Sequence, residues 1–362
     1  LSKAIELSNY KDLGIVANYV EILRGSGDIS KAREVGRIGI SNIGDSCGRD
    51  CVGLLFNTAV IENIERNFDK AIDLLGQAVT HDPQATRSWH LLGELVMKRS
   101  PAEAEAWLLR GVAALPLDAT LHFILGTSLQ FQGKISRALE VYLRAEVLDG
   151  ENYSLKGNIA ATYQSLGNVE EALRYYQIAI PHCPGDAGLY NNYGALLGIM
   201  GRDEEQIVWL EKALEISPTL RPALINLAGH YQDEGDLERT RELLHRAASP
   251  LAYSHTAGAS SEPLLHLREA LLLSPVAHSW RQMHEERRNI TRDLLIIKND
   301  ILETERATGR PQEKYDVDTS LDRIHFYISY HGLNDRYLQD LIISIYHKYL
   351  QIEHYSPYIV TS

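Results

Sequence analysis

Small and apolar residues return along this chain at fixed intervals, punctuated by glycine and proline. Ala78 and Pro83, Ala179 and Pro184, and Ala213 and Pro218 share one spacing of five, and the last two pairs repeat with a period of 34. The same interval carries Tyr163, Gly167, Ala172 and Tyr176 between Tyr153 and Asp186, Tyr190, Gly194 and Gly201 after Ala187, and Gly126, Gly133, Ala138, Tyr142 and Ala145 after Ala119. Beyond about residue 252 the pattern changes. A Ser, Gly, Ala and His stretch reads as a connector, and Pro263 to Leu273 reads as a helix broken by Ser274-Pro275. Ile290, Leu294, Ile297 and Ile301 then recur at helical spacing, which predicts a charged amphipathic helix over about 279–306 that caps the preceding array. His325 to Tyr330 predicts a buried strand, and Leu338, Leu341, Ile342, Ile345 and Tyr349 make the apolar stripe of one more helix. A single strand cannot satisfy its own backbone, so this βα segment reads as the start of an α/β domain.

A period of 34 with Tyr, Gly, Ala, Tyr, Ala and Pro at these offsets resembles the tetratricopeptide repeat. Weaker copies start at Val52, Thr86 and Arg221, and a degenerate copy covers about Leu13 to Ser46, making six repeats and a seventh remnant. The resemblance implies two helices per unit, a glycine turn between them, Ala where helices meet most closely and a proline that stops the second helix. No such unit buries its own apolar face, so neighbours stack into a right-handed superhelical solenoid whose concave wall is the usual binding surface. The fold expected is therefore mainly α. Its boundaries are a solenoid over 1–254, a helical linker over 255–310 and a short βα segment over 311–362.

Position 6 of each unit lies on the first helix, facing that wall. It reads Asn57, Leu91, Ile124, Asn158, Asn192 and Asn226, the last three falling one full period apart. An asparagine amide offers both a donor and an acceptor, so it can meet both backbone groups of a peptide unit without reading the side chain. Asn57, Asn158, Asn192 and Asn226 are the candidate partner-binding ladder, suited to an extended polypeptide of variable sequence. A tolerated polar residue on a solvated face is the alternative for any one of them.

Composition narrows the rest. Thirty-six basic against 48 acidic residues give a net charge of −12, which lacks the positive footprint of a nucleic-acid binder. At 44% hydrophobic and 23% charged the chain is folded, and no apolar run is long enough to span a membrane. Cys47 and Cys51 have no second pair to complete a zinc site, and the three cysteines read as reduced structural thiols. Gly25-Ser26-Gly27 lacks the third glycine and preceding strand of a dinucleotide loop, and none of the 14 histidines pairs at metal-site spacing with a carboxylate. No catalytic residue, metal or cofactor is assigned within the chain. The chain opens at Leu1 without an initiator methionine, so it reads as a fragment or processed product, with a cytoplasmic setting expected.

A second resemblance rests on the later residues. Leu267 to Val276, the charged helix, and Phe326-Tyr327-Ile328-Ser329-Tyr330-His331-Gly332-Leu333-Asn334-Asp335-Arg336 are similar to the segment joining repeats to catalytic domain in SPINDLY-like members of the O-linked N-acetylglucosamine transferase family. In that family an asparagine ladder in the repeat arm holds substrate polypeptide. The resemblance implies that this chain is the acceptor-binding arm and linker of a protein O-glycosyltransferase. A GT-B domain using a UDP-sugar or GDP-sugar would follow Ser362. Read without that domain, the chain is a non-catalytic interaction scaffold for an extended peptide or partner subunit of a larger assembly.

Overall fold

The computed structural model describes residues 10–43, 49–248, 288–298 and 341. Fourteen α-helices run in antiparallel pairs from Leu13 to Ala248. They are α1 (Leu13–Gly25) and α2 (Ile29–Ser41), α3 (Arg49–Ile64) and α4 (Phe68–His81), α5 (Thr86–Arg99) and α6 (Pro101–Ala114), and α7 (Ala119–Phe131) and α8 (Ile135–Leu148). There follow α9 (Tyr153–Ser165) and α10 (Val169–Ala179), α11 (Ala187–Ile199) and α12 (Asp203–Ile216), and α13 (Arg221–Asp233) and α14 (Leu237–Ala248). No strand occurs among the described residues. The chain divides into two compact units, Leu1–Pro184 and Gly185–Ser362. In the first unit each helix pair packs on the next, and in the second the pairs α11–α12 and α13–α14 do the same.

The start of each helix pair follows from local chemistry. Asp118, Asn152 and Asp186, one repeat apart, each accept a hydrogen bond from the backbone N–H three residues on, at 2.9 Å, and so cap α7, α9 and α11. The turn inside every pair but α5–α6, which turns through extended Ser100, uses a left-handed residue. Gly167 takes φ +76° there, its N–H bonding to the Gln164 carbonyl and that of Asn168 to the Tyr163 carbonyl. The α3–α4 turn makes the same two bonds from Arg66 and Asn67, yet Arg66 sits at φ +62° with a full side chain. A short 3-10 turn over Ile180–His182, containing Pro181, ends the second helix of its repeat.

Small residues set the packing distance. Ala78, Ala145, Ala179, Ala213 and Ala247, equivalent positions on second helices, are all fully buried. On the first helices Gly93, Gly126 and Gly194 hold another equivalent position, and a Cβ there would lie 2.7 Å from Leu108, 2.5 Å from the Tyr142 ring and 3.1 Å from Leu210, respectively. The helices approach so closely that the ring of Tyr142 occupies the space a methyl would need. Tyr142 is fully buried, and its hydroxyl donates to Thr127 or Gln130, each at 3.0 Å. Burial pushes its phenol up to about 12.

One expectation changes here. Cys51 is disulfide-bonded rather than a reduced thiol, while Cys183 is free. The βα segment over 311–362, including the strand expected at 325–330, lies outside the described residues apart from Leu341, which is helical and buried. Of the expected cap helix, residues 288–298 are helical, and Ile290, Leu294 and Ile297 are buried.

Gly126→Ala tests the close approach. The added methyl must displace the Tyr142 ring, so unfolding free energy should fall by about 1–3 kcal/mol in urea titrations, the usual cost of overpacking. A variant as stable as the parent would show that the helices can separate freely at this point.

Candidate functional site

Position 6 of the first helices is occupied in three different ways. Asn57, on α3, is only 6% exposed, and its Nδ2 donates to the Ala17 carbonyl on α1 at 3.1 Å. That amide ties two first helices together and offers a partner almost no surface. Ile124 is buried and Leu91 half-buried, so the corresponding positions of α7 and α5 are apolar. Asn158, on α9, is half-buried, and its side-chain amide has no hydrogen-bond partner among the described residues. Both its donor and its acceptor are open to solvent or to a ligand.

In the second unit a network replaces isolated side chains. Asn226 Nδ2 on α13 donates to Asn191 Oδ1 on α11 at 3.0 Å, and Asn191 Nδ2 donates to Asn192 Oδ1 at 3.0 Å. Asn191 is 6% exposed, whereas Asn192 and Asn226 are half-buried. The chain of bonds fixes which way each amide points. Asn192 keeps its NH2 group for donation, and Asn226 keeps its carbonyl oxygen for acceptance. One donor and one acceptor, held by a buried relay, are what a single peptide unit needs. Asn191 itself was not among the residues singled out in the sequence. The Asn-Asn dipeptide at 191–192 was the available signal, since the first of the pair falls on the helix face turned toward the core.

The surroundings of Asn158 are charged and tightly held. Lys156, two residues earlier on α9, pairs with Glu146 on α8 at 2.9 Å, and the Tyr175 hydroxyl on α10 donates to the other oxygen of Glu146 at 2.9 Å. Tyr175 is nearly buried, stacks on Tyr163 with ring centroids 5.7 Å apart and carries the Arg174 guanidinium 5.2 Å from its centroid. Burial, and then the Glu146 carboxylate beside it, push the Tyr175 phenol up to about 12. A single acid therefore joins α8, α9 and α10 and pairs with the positive charge of Lys156. On α5 and α7, His90 Nε2 lies 2.9 Å from Asp118, the cap of α7, and Arg87 stacks over Phe56 at 4.4 Å. Aromatic and paired groups thus line the first-helix side of the first unit.

The arrangement holds no nucleophile with a base and no grouping of three His, Cys, Asp or Glu side chains among the described residues. Its chemistry is that of amide hydrogen bonding. No helix among the described residues is long and apolar enough to cross a membrane.

Residues 65–119 and 124–187 match one tetratricopeptide repeat model and residues 187–220 another, so the chain carries tetratricopeptide repeats over these residues. Among curated proteins it is similar to the Photosystem I assembly protein Ycf3 of Prochlorococcus marinus, 33% identical over 116 residues, or 29% of this chain and 66% of that protein. The chain thus spans just under two thirds of that relative. Among solved structures it is similar to a tetratricopeptide repeat protein from Parabacteroides merdae, at 14% identity and a TM-score of 0.58, covering 70% of this chain and 97% of that one. It also matches the MamA protein at 21% identity and a TM-score of 0.42, over 48% of this chain and 94% of that one.

The raised phenol of Tyr175 has a pH consequence. Its folded value lies above the ordinary 10.0, so its contribution to stability is complete below about pH 10 and is lost as pH rises toward about 12. Tyr175→Phe should therefore lose stability less steeply than the parent between pH 10 and pH 12 in alkaline unfolding. Identical slopes for the two proteins would place the Tyr175 hydroxyl in water instead.

Proposed function

We propose that this chain is a non-catalytic interaction scaffold that holds an extended polypeptide, or the extended segment of a partner subunit, on the faces of its first helices. The observation that carries the reading is the relay from Asn226 through Asn191 to Asn192, which leaves one oriented donor and one oriented acceptor at the surface. Asn158 adds an uncommitted amide in the first unit. Amides of this kind grip backbone and tolerate varied side chains, so affinity comes from many modest bonds and selectivity from elsewhere. The similarity to a photosystem assembly protein fits a role in bringing partner chains together, and it supports the class of activity rather than any partner.

A finer reading keeps the same binding step and adds chemistry outside the described residues. The Tyr-His-Gly-Leu-Asn-Asp-Arg stretch at 330–336 supports an acceptor-binding arm of a SPINDLY-like protein O-glycosyltransferase, with a UDP-sugar or GDP-sugar used by a GT-B domain following in the same polypeptide. On that reading the intact native polypeptide, weighed by mass spectrometry, is far heavier than this chain and transfers sugar to a bound protein. A native mass equal to that of this chain leaves the scaffold reading alone.

Replacing Asn158, Asn192 and Asn226 together with Ala should weaken polypeptide binding by a factor corresponding to about 1 kcal/mol per neutral hydrogen bond lost, with helical content retained and thermal unfolding lowered because the buried Asn191 amide loses both of its partners. Affinity unchanged in this triple variant would remove the asparagines from the binding surface.

A further inference from the structure

A cleft of about 630 Å³ opens in the first unit between the α3–α4 turn and the end of α5. Arg66, Phe68, Asp69 and Lys70 line one side of it, and Leu95, Lys98 and Arg99 the other, so four cations face one acid, and that acid is paired with Arg99. The floor is apolar. Phe68 is 46% exposed there although it is a large aromatic side chain, and Leu95 is buried behind it. The rim is cationic, but its cations are not equivalent. Arg99 is already engaged by Asp69 at 3.0 Å and by Glu103. Arg66, Lys70 and Lys98 have no acidic partner among the described residues, although the chain as a whole carries −12. Three uncommitted positive charges thus surround an exposed aromatic ring on an otherwise acidic protein.

The backbone points to the same place independently. Gly27, Gly133, Gly167, Gly201 and Gly235 hold the left-handed turn position of five helix pairs, with φ between +69° and +84°. Arg66 holds it in the α3–α4 pair at φ +62°, making the same turn hydrogen bonds as the glycines. A Cβ makes this conformation costly for an L-residue, and retained strain of this kind is a pointer toward use. Here the strained residue brings its guanidinium to the rim of the cleft.

We propose that this cleft is a docking site, separate from the asparagine face, for a partner peptide that sets an aliphatic or aromatic side chain between acidic residues. The apolar side chain lies on Phe68 and Leu95, and the flanking carboxylates meet Arg66, Lys70 and Lys98. Charge complementarity selects such a peptide over a basic one, and the apolar floor selects it over a bare anion. The net charge of the chain disfavours the extended phosphate backbone of a nucleic acid, which would meet repulsion beyond the three cations.

The probe is fluorescein-labelled Asp-Glu-Leu-Glu-Asp, titrated with the full chain at low salt and followed by fluorescence anisotropy. Binding is expected. The double variant Lys70→Glu and Lys98→Glu should lose at least about tenfold in affinity, and Arg66→Gly about threefold. Arg66→Gly should also melt at or above the parent's temperature, because glycine relieves the left-handed turn, so its loss of binding cannot be ascribed to unfolding. The Asn158, Asn192 and Asn226 triple Ala variant should bind the probe like the parent, which separates this site from the asparagine face. The proposal is overturned by no binding to the parent, by charge-reversed and Arg66→Gly proteins that bind as the parent does, or by a Ser-for-Leu probe that binds equally well. Displacement of the probe by oligothymidylate at lower concentration than by unlabelled peptide would overturn it in favour of nucleic acid.

Discussion

The distance between neighbouring helices is the constraint on which the rest of this structure depends. It is set by residues with little or no side chain: Gly93, Gly126 and Gly194 on first helices, and Ala78, Ala145, Ala179, Ala213 and Ala247 on second helices. Each glycine lets a large neighbour, Leu108, Tyr142 or Leu210, lie directly against backbone. Interiors are packed to near-crystalline density, so this contact fixes helix position rather than merely permitting it. Because the small residues return with the repeat, the helix pairs within each unit repeat one geometry, and a side chain at one register position sits in equivalent surroundings one repeat later.

That regularity is what places neutral amides at matching positions on the first helices, where the proposed binding surface lies. Helix pairs placed by small-residue contacts hold Asn192 and Asn226 on adjacent first helices, near enough for Asn191 to link them through bonds of 3.0 Å. At Asn158 no such relay forms, and on the same helices Glu146 pairs with Lys156 and Tyr175. Charge is concentrated elsewhere, around Phe68 and Leu95, where the α3–α4 turn departs from glycine. On the two proposed readings, a neutral face that grips backbone and a cationic cleft that reads acidic residues are complementary ways for one scaffold to hold and to select a partner.

Much of the helical architecture was legible in the sequence, because the repeat period writes turn glycines, contact alanines and terminal prolines at offsets that each have one physical cause. The caps at Asp118, Asn152 and Asp186 recur at the same interval. What register could not convey was how each position 6 is used. Asn57 shares the register of Asn158 but faces the carbonyl of Ala17, since burial depends on the neighbouring helix rather than on the helix that carries the residue. Asn191 escaped notice for the same reason: its role arises only when α13 brings Asn226 beside it. Arg66 holds a turn position that glycine takes in five other pairs, a departure the repeat pattern does not explain, and the cleft beside it is assembled from α5, whose approach the sequence does not state.

The central claim, that the first-helix face grips polypeptide backbone, is tested most directly by chemistry on the ligand. An unstructured peptide selected for binding to the full chain would be compared with the same peptide carrying N-methyl groups at alternate backbone nitrogens, by isothermal calorimetry. Methylation removes the donors that Asn side chains accept and leaves every side chain in place. The account predicts that affinity falls at least about tenfold, more than about 1.4 kcal/mol, for the methylated peptide. Equal affinity for the two peptides would contradict it, placing recognition in side chains and returning the asparagines to solvated surface.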